Sequence, residues 1–600
     1  MVAQADLEPE TGRMPERAQQ VARQPQFLCG RHLNVRVVEL RVRQPRAGQQ
    51  RRVRHAAFVA EIDQQPGAGR TPGEVPEAHA EKPSKRRFVP NTKTIVPKHH
   101  WRFPIQPAPS ALSSRRPNDT IASAGDTMHP SRPTDLAVRF ERQREAFARD
   151  PAPPLSTRIS RLDRLRALLD AHEPAIVHAI DADFGGRSAH ETRLAELFVV
   201  RSGIRHAHTH LKQWMSECRV PTAPHFRPGY NRLAPQPLGV VGVMAPWNYP
   251  LQLALGPAVA ALAAGNRVLV KPSELTPRLS ALLDTLVADA FDADELSIVR
   301  GDVDTAKAFA GLPFDHLFFT GSTAVGRDVA LAAAANLTPV TLELGGKSPA
   351  ILDPSCDIAH AAARIAFGKL LNAGQTCIAP DYLLVPAGTA ETVAARLSDA
   401  IVRRYPTLAA NPDYTAIIGA RHRGRLAALI DEARDGGARV LEINPAGERF
   451  DGASRKCPPT VVIGARDTMR LMREEIFGPV LPIVEYASVD DAIDYVSRRP
   501  RPLALYWFGR DAVRRDRVLR ETVSGGVTVN DCLWHLAQEH QPFGGVGPSG
   551  IGAYHGKWGF DTFSHHKPVF HQARRSGTAL FHPPYGKTFD LLLRVLTRFA

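Results

Sequence analysis

Between about Leu136 and Val220 the apolar residues recur at intervals of three and four, as in Leu162, Leu165, Leu168 and Leu169 and again in Leu194, Leu197, Phe198 and Ile204. That spacing gathers them on one face of a helix, so the stretch predicts amphipathic helices. Beyond it the pattern changes. Short apolar runs at 240–244, 267–270, 315–319 and 338–342 predict buried strands, and the segments 251–264, 277–291 and 324–335 between them predict helices, the first closed by Gly265. Strands that alternate with helices predict a mainly parallel sheet covered on both faces, the architecture of a dinucleotide-binding domain. After Gly346 the alternation starts again, with strands at 381–385 and 460–463 around a helix at 391–404, which predicts a second α/β domain. A last amphipathic helix is expected at 589–596.

Composition narrows this picture. A chain of 600 residues exceeds what one core usually supports, so two or more domains are expected. No apolar run approaches the roughly 20 residues that span a bilayer, and a soluble protein without a membrane span is expected. Six cysteines, at 29, 218, 356, 377, 457 and 532, form neither a CxxC pair nor a zinc-type cluster. A disulfide framework is therefore disfavoured, no metal is expected, and a reducing cytoplasm suits a reactive thiol.

The net charge of +15 raises the possibility of a nucleic-acid partner, but +9 of it lies in residues 1–127, with 21 Lys and Arg against 12 Asp and Glu. This leader is rich in Arg, Gln and Pro and has no sustained period, so it reads as disordered. It is a basic arm for nucleic acid or a membrane surface, a targeting peptide, or translated sequence upstream of a start at Met128; the third reading is favoured because Met128 runs directly into helical pattern.

Two segments carry the chemistry. Thr341-Leu342-Glu343-Leu344-Gly345-Gly346-Lys347-Ser348-Pro349 and Asn372-Ala373-Gly374-Gln375-Thr376-Cys377 each place one reactive group in a glycine-bearing, otherwise apolar loop. A thiol can add to a carbonyl carbon, and a nearby carboxylate can activate the water that releases the product. Taken singly, Cys377 is as readily a small core residue and Glu343 a surface acid.

Together, the two segments resemble the cysteine and glutamate signatures of the NAD(P)-dependent aldehyde dehydrogenase superfamily, and their separation of 34 residues fits. Further matches follow in the family's order: Pro246-Trp247-Asn248-Tyr249-Pro250, Lys271-Pro272-Ser273-Glu274, Phe319-Thr320-Gly321-Ser322, Glu474-Glu475-Ile476-Phe477-Gly478-Pro479 and Pro542-Phe543-Gly544-Gly545. The resemblance implies Cys377 as nucleophile, Glu343 as the base that hydrolyses a thioester, and the Asn248 amide with the Cys377 N–H as donors to the tetrahedral oxygen. It implies cofactor contacts from Trp247, Lys271, Glu274, Gly321, Ser322, Gly326, Glu475 and Phe477. A carboxylate at Glu274 would accept a ribose hydroxyl and repel a phosphate there, which favours NAD, with NADP possible.

Within the family, Asn530-Asp531-Cys532-Leu533-Trp534-His535, Tyr554-His555-Gly556 and Pro583-Pro584-Tyr585-Gly586 resemble class 3-type enzymes, and among them the bacterial coniferyl-aldehyde dehydrogenases. An aromatic aldehyde oxidised to its acid is the implied reaction, with a medium- or long-chain aliphatic aldehyde as the alternative; Tyr249 and Trp534 could line the entrance or simply pack in the core. A nucleic-acid-binding protein on an inactive dehydrogenase scaffold is the remote alternative. The expected organisation is a leader over 1–127, a helical region with a Rossmann-like NAD-binding domain over 128–345, a catalytic domain over 346–540, and a returning segment with a small oligomerisation arm over 541–600. A homodimer is implied.

Overall fold

A computed structural model of the chain describes residues 133–450 and 454–599. The leader over 1–127 lies outside the described residues.

Four helices, Pro133–Arg149, Leu155–Ala171, Glu173–Phe184 and Phe198–Trp214, occupy the region where the three-and-four spacing predicts them. Their apolar stripes face inward: Leu162, Leu165 and Leu169 on one helix and Val200, Ile204 and Leu211 on another are fully or almost fully buried. Each such side chain contributes on the order of 1.5–3 kcal/mol relative to exposure.

The first sheet has six strands in the order Gly550–Ile551, Val340–Leu344, His316–Gly321, Val240–Met244, Arg267–Lys271, Leu296–Ile298. All neighbours pair in parallel except Gly550–Ile551, which runs antiparallel to Val340–Leu344. The chain enters at the middle strand, Val240–Met244, builds outward to one side, then returns to build the other. Strand order therefore reverses beside Val240–Met244, and in open parallel sheets the crevice at the carboxyl ends there takes the ligand. The helix Gln252–Ala264 that follows is buried almost all round, as an element between sheet and outer helices must be, and ends on Gly265 at φ 98°.

A second sheet of seven strands runs Arg439–Glu442, Thr460–Ile463, Val480–Tyr486, Tyr382–Pro386, Pro349–Leu352, Ala504–Phe508, Gly526–Val529, parallel apart from its first pair. Gly345, Gly346, Lys347 and Ser348 link the last parallel strand of the first sheet to the first strand of the second. A third, antiparallel sheet joins Cys218–Val220 and Ser564–His571 to the two edges of Tyr230–Pro237.

One expectation is corrected. The strand expected at 338–342 lies at Val340–Leu344, so Glu343 is a strand residue and not a loop residue. The strand is extended by pairing on both sides: Thr320 and Gly321 pair with Glu343 and Leu344 on one edge, and on the other Gly550 and Ile551 pair with Glu343 and Leu342 while Leu344 N–H donates to Ser549 O at 3.0 Å.

Candidate active site

Glu343 lies between Thr320 on one neighbouring strand and Gly550 on the other. It is 3% exposed, and neither carboxylate oxygen has a hydrogen-bond partner among the described residues. Burial without a partner penalises the charged form, so its carboxyl is raised well above the ordinary glutamate range. A buried acid with no structural bond to make is a functional-site candidate.

The Cys377 loop is set by a turn of the wrong hand. Asn372 (φ 53°), Ala373 (φ 50°) and Gly374 (φ 75°) are consecutive left-handed residues. Alanine there costs on the order of 1–2 kcal/mol, so the surroundings must impose the turn. They do so with hydrogen bonds from four distant segments. Asn372 N–H donates to Glu191 Oε2 at 3.0 Å, and its Nδ2 donates to Asn248 O at 2.9 Å and Gln375 O at 3.1 Å. Gln375 Nε2 donates to Asn372 O and to Ala416 O, each at 3.0 Å, and its Oε1 accepts from Ile418 N–H at 2.9 Å. Glu191 in turn accepts from Thr415 Oγ1 at 2.8 Å. Tyr506 Oη, donating to Ile378 O, holds the far side of the thiol.

The half-buried thiol of Cys377 is pushed up to about 12, first by burial and then by the negative charges of Glu475 and Glu343. Those two acids and the sulfur therefore share one electrostatic environment. Asn248, 3% exposed, donates its Nδ2 to Gln375 O at 3.1 Å, two residues before the thiol; one amide hydrogen remains for another acceptor. Arg187 Nη1 donates to Asn248 O at 3.0 Å and pairs with buried Glu196 at 3.0 Å. Glu196 also accepts from Leu251 and Gln252 N–H, at 2.7 and 3.2 Å, so it fixes the start of the helix behind the Trp247–Pro250 turn.

The residues expected at the cofactor sit along the carboxyl edge of the first sheet or face it. Lys271 ends its strand, is buried with Nζ donating to Pro272 O at 2.9 Å, and lies 3.9 Å from the exposed carboxylate of Glu274. Gly321 ends the strand His316–Gly321, and Ser322 caps the helix Thr323–Ala334 by accepting from Val325 N–H at 3.4 Å. Gly326 lets that helix press on the sheet, because a Cβ there would stand 2.5 Å from Leu344. Glu475 reaches across from the second unit of secondary structure to the linker: a Cβ on Gly345 would lie 2.0 Å from its carboxylate. Burial and then the charge of Asp381 raise Glu475 to about 8. Phe477, at φ 53°, sets its ring edge-on to Trp247 with centroids 5.4 Å apart. Beside Glu475 and Gly345 opens a cavity of about 770 Å³ lined by Thr323, Arg327, Lys347 and Arg473; Cys377 is not part of its wall.

These groups fit a nicotinamide dinucleotide: a helix N-terminus and arginines for phosphates, a lysine–carboxylate pair for a ribose, and a flat aromatic wall. Of the two residues expected at the substrate, Tyr249 is buried and hydrogen-bonded to Thr376 Oγ1 at 2.7 Å, whereas Trp534 is 40% exposed and stacked on Phe367. The sequence assigns no role to Asn372, Gln375 or Tyr554, although they fall in its motifs, and does not mark Arg187 or Glu191 at all. Tyr554 is buried, and its phenol is raised by burial and then by the charge of Glu343. For Asn372 and Gln375 a signal existed, since an Asn-Ala-Gly run suits left-handed backbone.

The model of the aldehyde dehydrogenase family matches residues 123–569. The chain belongs to that family, and it is an aldehyde dehydrogenase with the fold of that enzyme class. It is similar to a probable coniferyl aldehyde dehydrogenase of Pseudomonas aeruginosa, with 50% identity over 458 residues that cover 76% of this chain and 95% of the relative. The coniferyl aldehyde dehydrogenase of a Pseudomonas species is 47% identical over 463 residues, 77% of this chain and 96% of the relative. Among solved structures, the substrate-bound state of Staphylococcus aureus AldH superposes with a TM-score of 0.73 at 37% identity, covering 77% of this chain and 99% of the other.

Proposed function

We propose that this enzyme oxidises an aromatic aldehyde of the coniferyl type to its carboxylic acid with NAD, through a covalent adduct on Cys377. The observation that carries the reading is that a carboxyl on a strand of the first sheet, Glu343, buried and without a hydrogen-bond partner among the described residues, acts electrostatically on the thiol of Cys377, which lies in the turn before the strand Tyr382–Pro386 of the second sheet. The Cys377 sulfur adds to the carbonyl carbon, forming a C–S bond as the carbonyl π pair moves to oxygen. The thiol proton passes to a neighbouring carboxylate, Glu343 or Glu475, and from it to solvent, so that Glu343 is a carboxylate again before the second half of the reaction. The free amide hydrogen of Asn248 and the Cys377 N–H donate to the resulting oxygen; losing one such donor typically costs about 10²–10³ in rate. The nicotinamide, when bound, supplies the two-electron oxidation that leaves a thioester on Cys377. Glu343 then takes a proton from water as the water attacks that thioester, the C–S bond breaks with its electron pair on sulfur, and the proton on Glu343 returns to that sulfur to regenerate the thiol.

The Lys271–Glu274 pair supports NAD over NADP, since a carboxylate opposes a phosphate on the ribose. The antiparallel sheet ending in Ser564–His571 supports a homodimer built through that arm, and the reactive thiol suits the cytoplasm. The test is NAD(H) turnover with coniferaldehyde and a panel of aromatic and aliphatic aldehydes. Cys377→Ala is expected to lose turnover with every aldehyde, and substantial residual turnover defeats the assignment. Glu343→Gln is expected to give a burst of reduced cofactor followed by slow turnover. A panel optimum at medium-chain aliphatic aldehydes would retain the chemistry and overturn the substrate class.

A further inference from the structure

Three imidazoles meet away from Cys377 in a place the proposed reaction does not use. His206 and His210 stand one turn apart on the helix Phe198–Trp214 and leave the same face. His540, from the irregular segment after Trp534, closes on them. A ring nitrogen of each lies within 4.8 Å of a ring nitrogen of the other two. The ring centroids are 4.3 Å apart for His206 and His210, 4.6 Å for His206 and His540, and 5.5 Å for His210 and His540.

The cluster presents lone pairs without donors. His210 Nδ1 lies 2.9 Å from the carbonyl oxygen of His206, which can only accept, so Nδ1 carries the proton and Nε2 is left as a base. A backbone carbonyl on the second nitrogen is the usual way in which a ligating histidine is oriented. The rings of His206 and His540 have no hydrogen-bond partner among the described residues. The acid next in sequence, Glu539, is engaged elsewhere, accepting from Gly556 N–H at 3.1 Å. Trp214 stacks on His210 with centroids 5.8 Å apart and an interplanar angle of 13°, which fixes the ring plane.

We propose that His206, His210 and His540 bind one zinc ion, with the fourth position open to solvent beside the exposed His540. An all-imidazole set suits zinc and its neighbours in the transition series and discriminates against magnesium and calcium, which take oxygen ligands. Zinc–nitrogen bonds of about 2.0–2.1 Å place tetrahedral ligands about 3.4 Å apart. Closing from the observed spacing needs only side-chain rotation, which exposed His540 can supply. The ion would tie the segment that carries Trp534, His540 and Tyr554 to the helix Phe198–Trp214.

The test uses the full chain, freed of metal by chelation and titrated with zinc chloride by calorimetry and with cobalt(II) by visible spectroscopy. The expected result is one ion per chain, a cobalt spectrum of tetrahedral d–d bands without thiolate charge transfer, and a melting temperature raised by zinc. His540→Gln should weaken binding at least tenfold, and His206→Gln with His210→Gln should abolish it. Aldehyde turnover of the metal-free variants reports that they are folded. Undiminished affinity in His540→Gln, thiolate bands from a cysteine, or no saturable binding by the native chain would each overturn the site.

Discussion

Cys377 has two acids for neighbours, and their sign opposes thiolate formation. Burial is the largest cause of its raised value, the charge of Glu475 the second and that of Glu343 the third. The chemistry needs both the thiol and the base to lose protons, so turnover is expected to climb with pH above neutrality. Neutralising one acid separates the charge effect from burial. In Glu475→Gln one of the two repelling charges is gone, so the thiolate forms at lower pH. Alkylation of Cys377 by iodoacetamide, followed by peptide mass spectrometry across pH, should show its rise displaced to lower pH. An unmoved profile would mean that burial alone sets the thiol and that the charge of Glu475 does not reach it.

Among the elements, the left-handed turn Asn372-Ala373-Gly374 decides where the sulfur stands. Asn372→Ala deletes its two side-chain donations and puts a second alanine at positive φ. A loss of about 1–3 kcal/mol in stability is expected, visible as a lower denaturant midpoint, together with a fall in kcat/KM as the thiol shifts. Wild-type values for both would mean that Gln375 suffices. This turn also marks the boundary of what the sequence discloses. Strands at Val240–Met244 and Thr460–Ile463 fall at the residues their apolar runs predict, because a buried strand is written in its own side chains. The helix Gln252–Ala264 and its glycine stop are legible for the same reason. What holds Asn372 is not local: Glu191 and Asn248 are 181 and 124 residues away. Gly550–Ile551 is only two residues long, too short to have a period, yet it covers the outer edge of the strand that holds Glu343.

At the scale of the molecule, buried acids make stability depend on pH in a direction opposite to ordinary surface carboxylates. Glu191 is raised from 4.5 to about 7, chiefly by burial. The folded state therefore binds its proton more tightly than the unfolded chain does. Its contribution is complete below about pH 4.5 and is lost as pH rises through about 7. The native protein should lose more melting temperature between pH 5 and pH 8 than Glu191→Gln, whose amide oxygen can still accept from Asn372 and Thr415. Parallel curves for the two proteins, measured by differential scanning fluorimetry, would exclude this linkage.

The antiparallel pairing of Gly550 with Glu343 has a consequence for how the chain is made. Translation delivers the five parallel strands of the first sheet by residue 344, but leaves the outer edge of Val340–Leu344 bare until about two hundred further residues have emerged from the ribosome. Over that interval a row of unpaired backbone groups, next to an acid without a partner, is open to the wrong strand. The nascent enzyme is thus most exposed to aggregation or chaperone capture late in synthesis, and that exposure ends only when the returning segment docks.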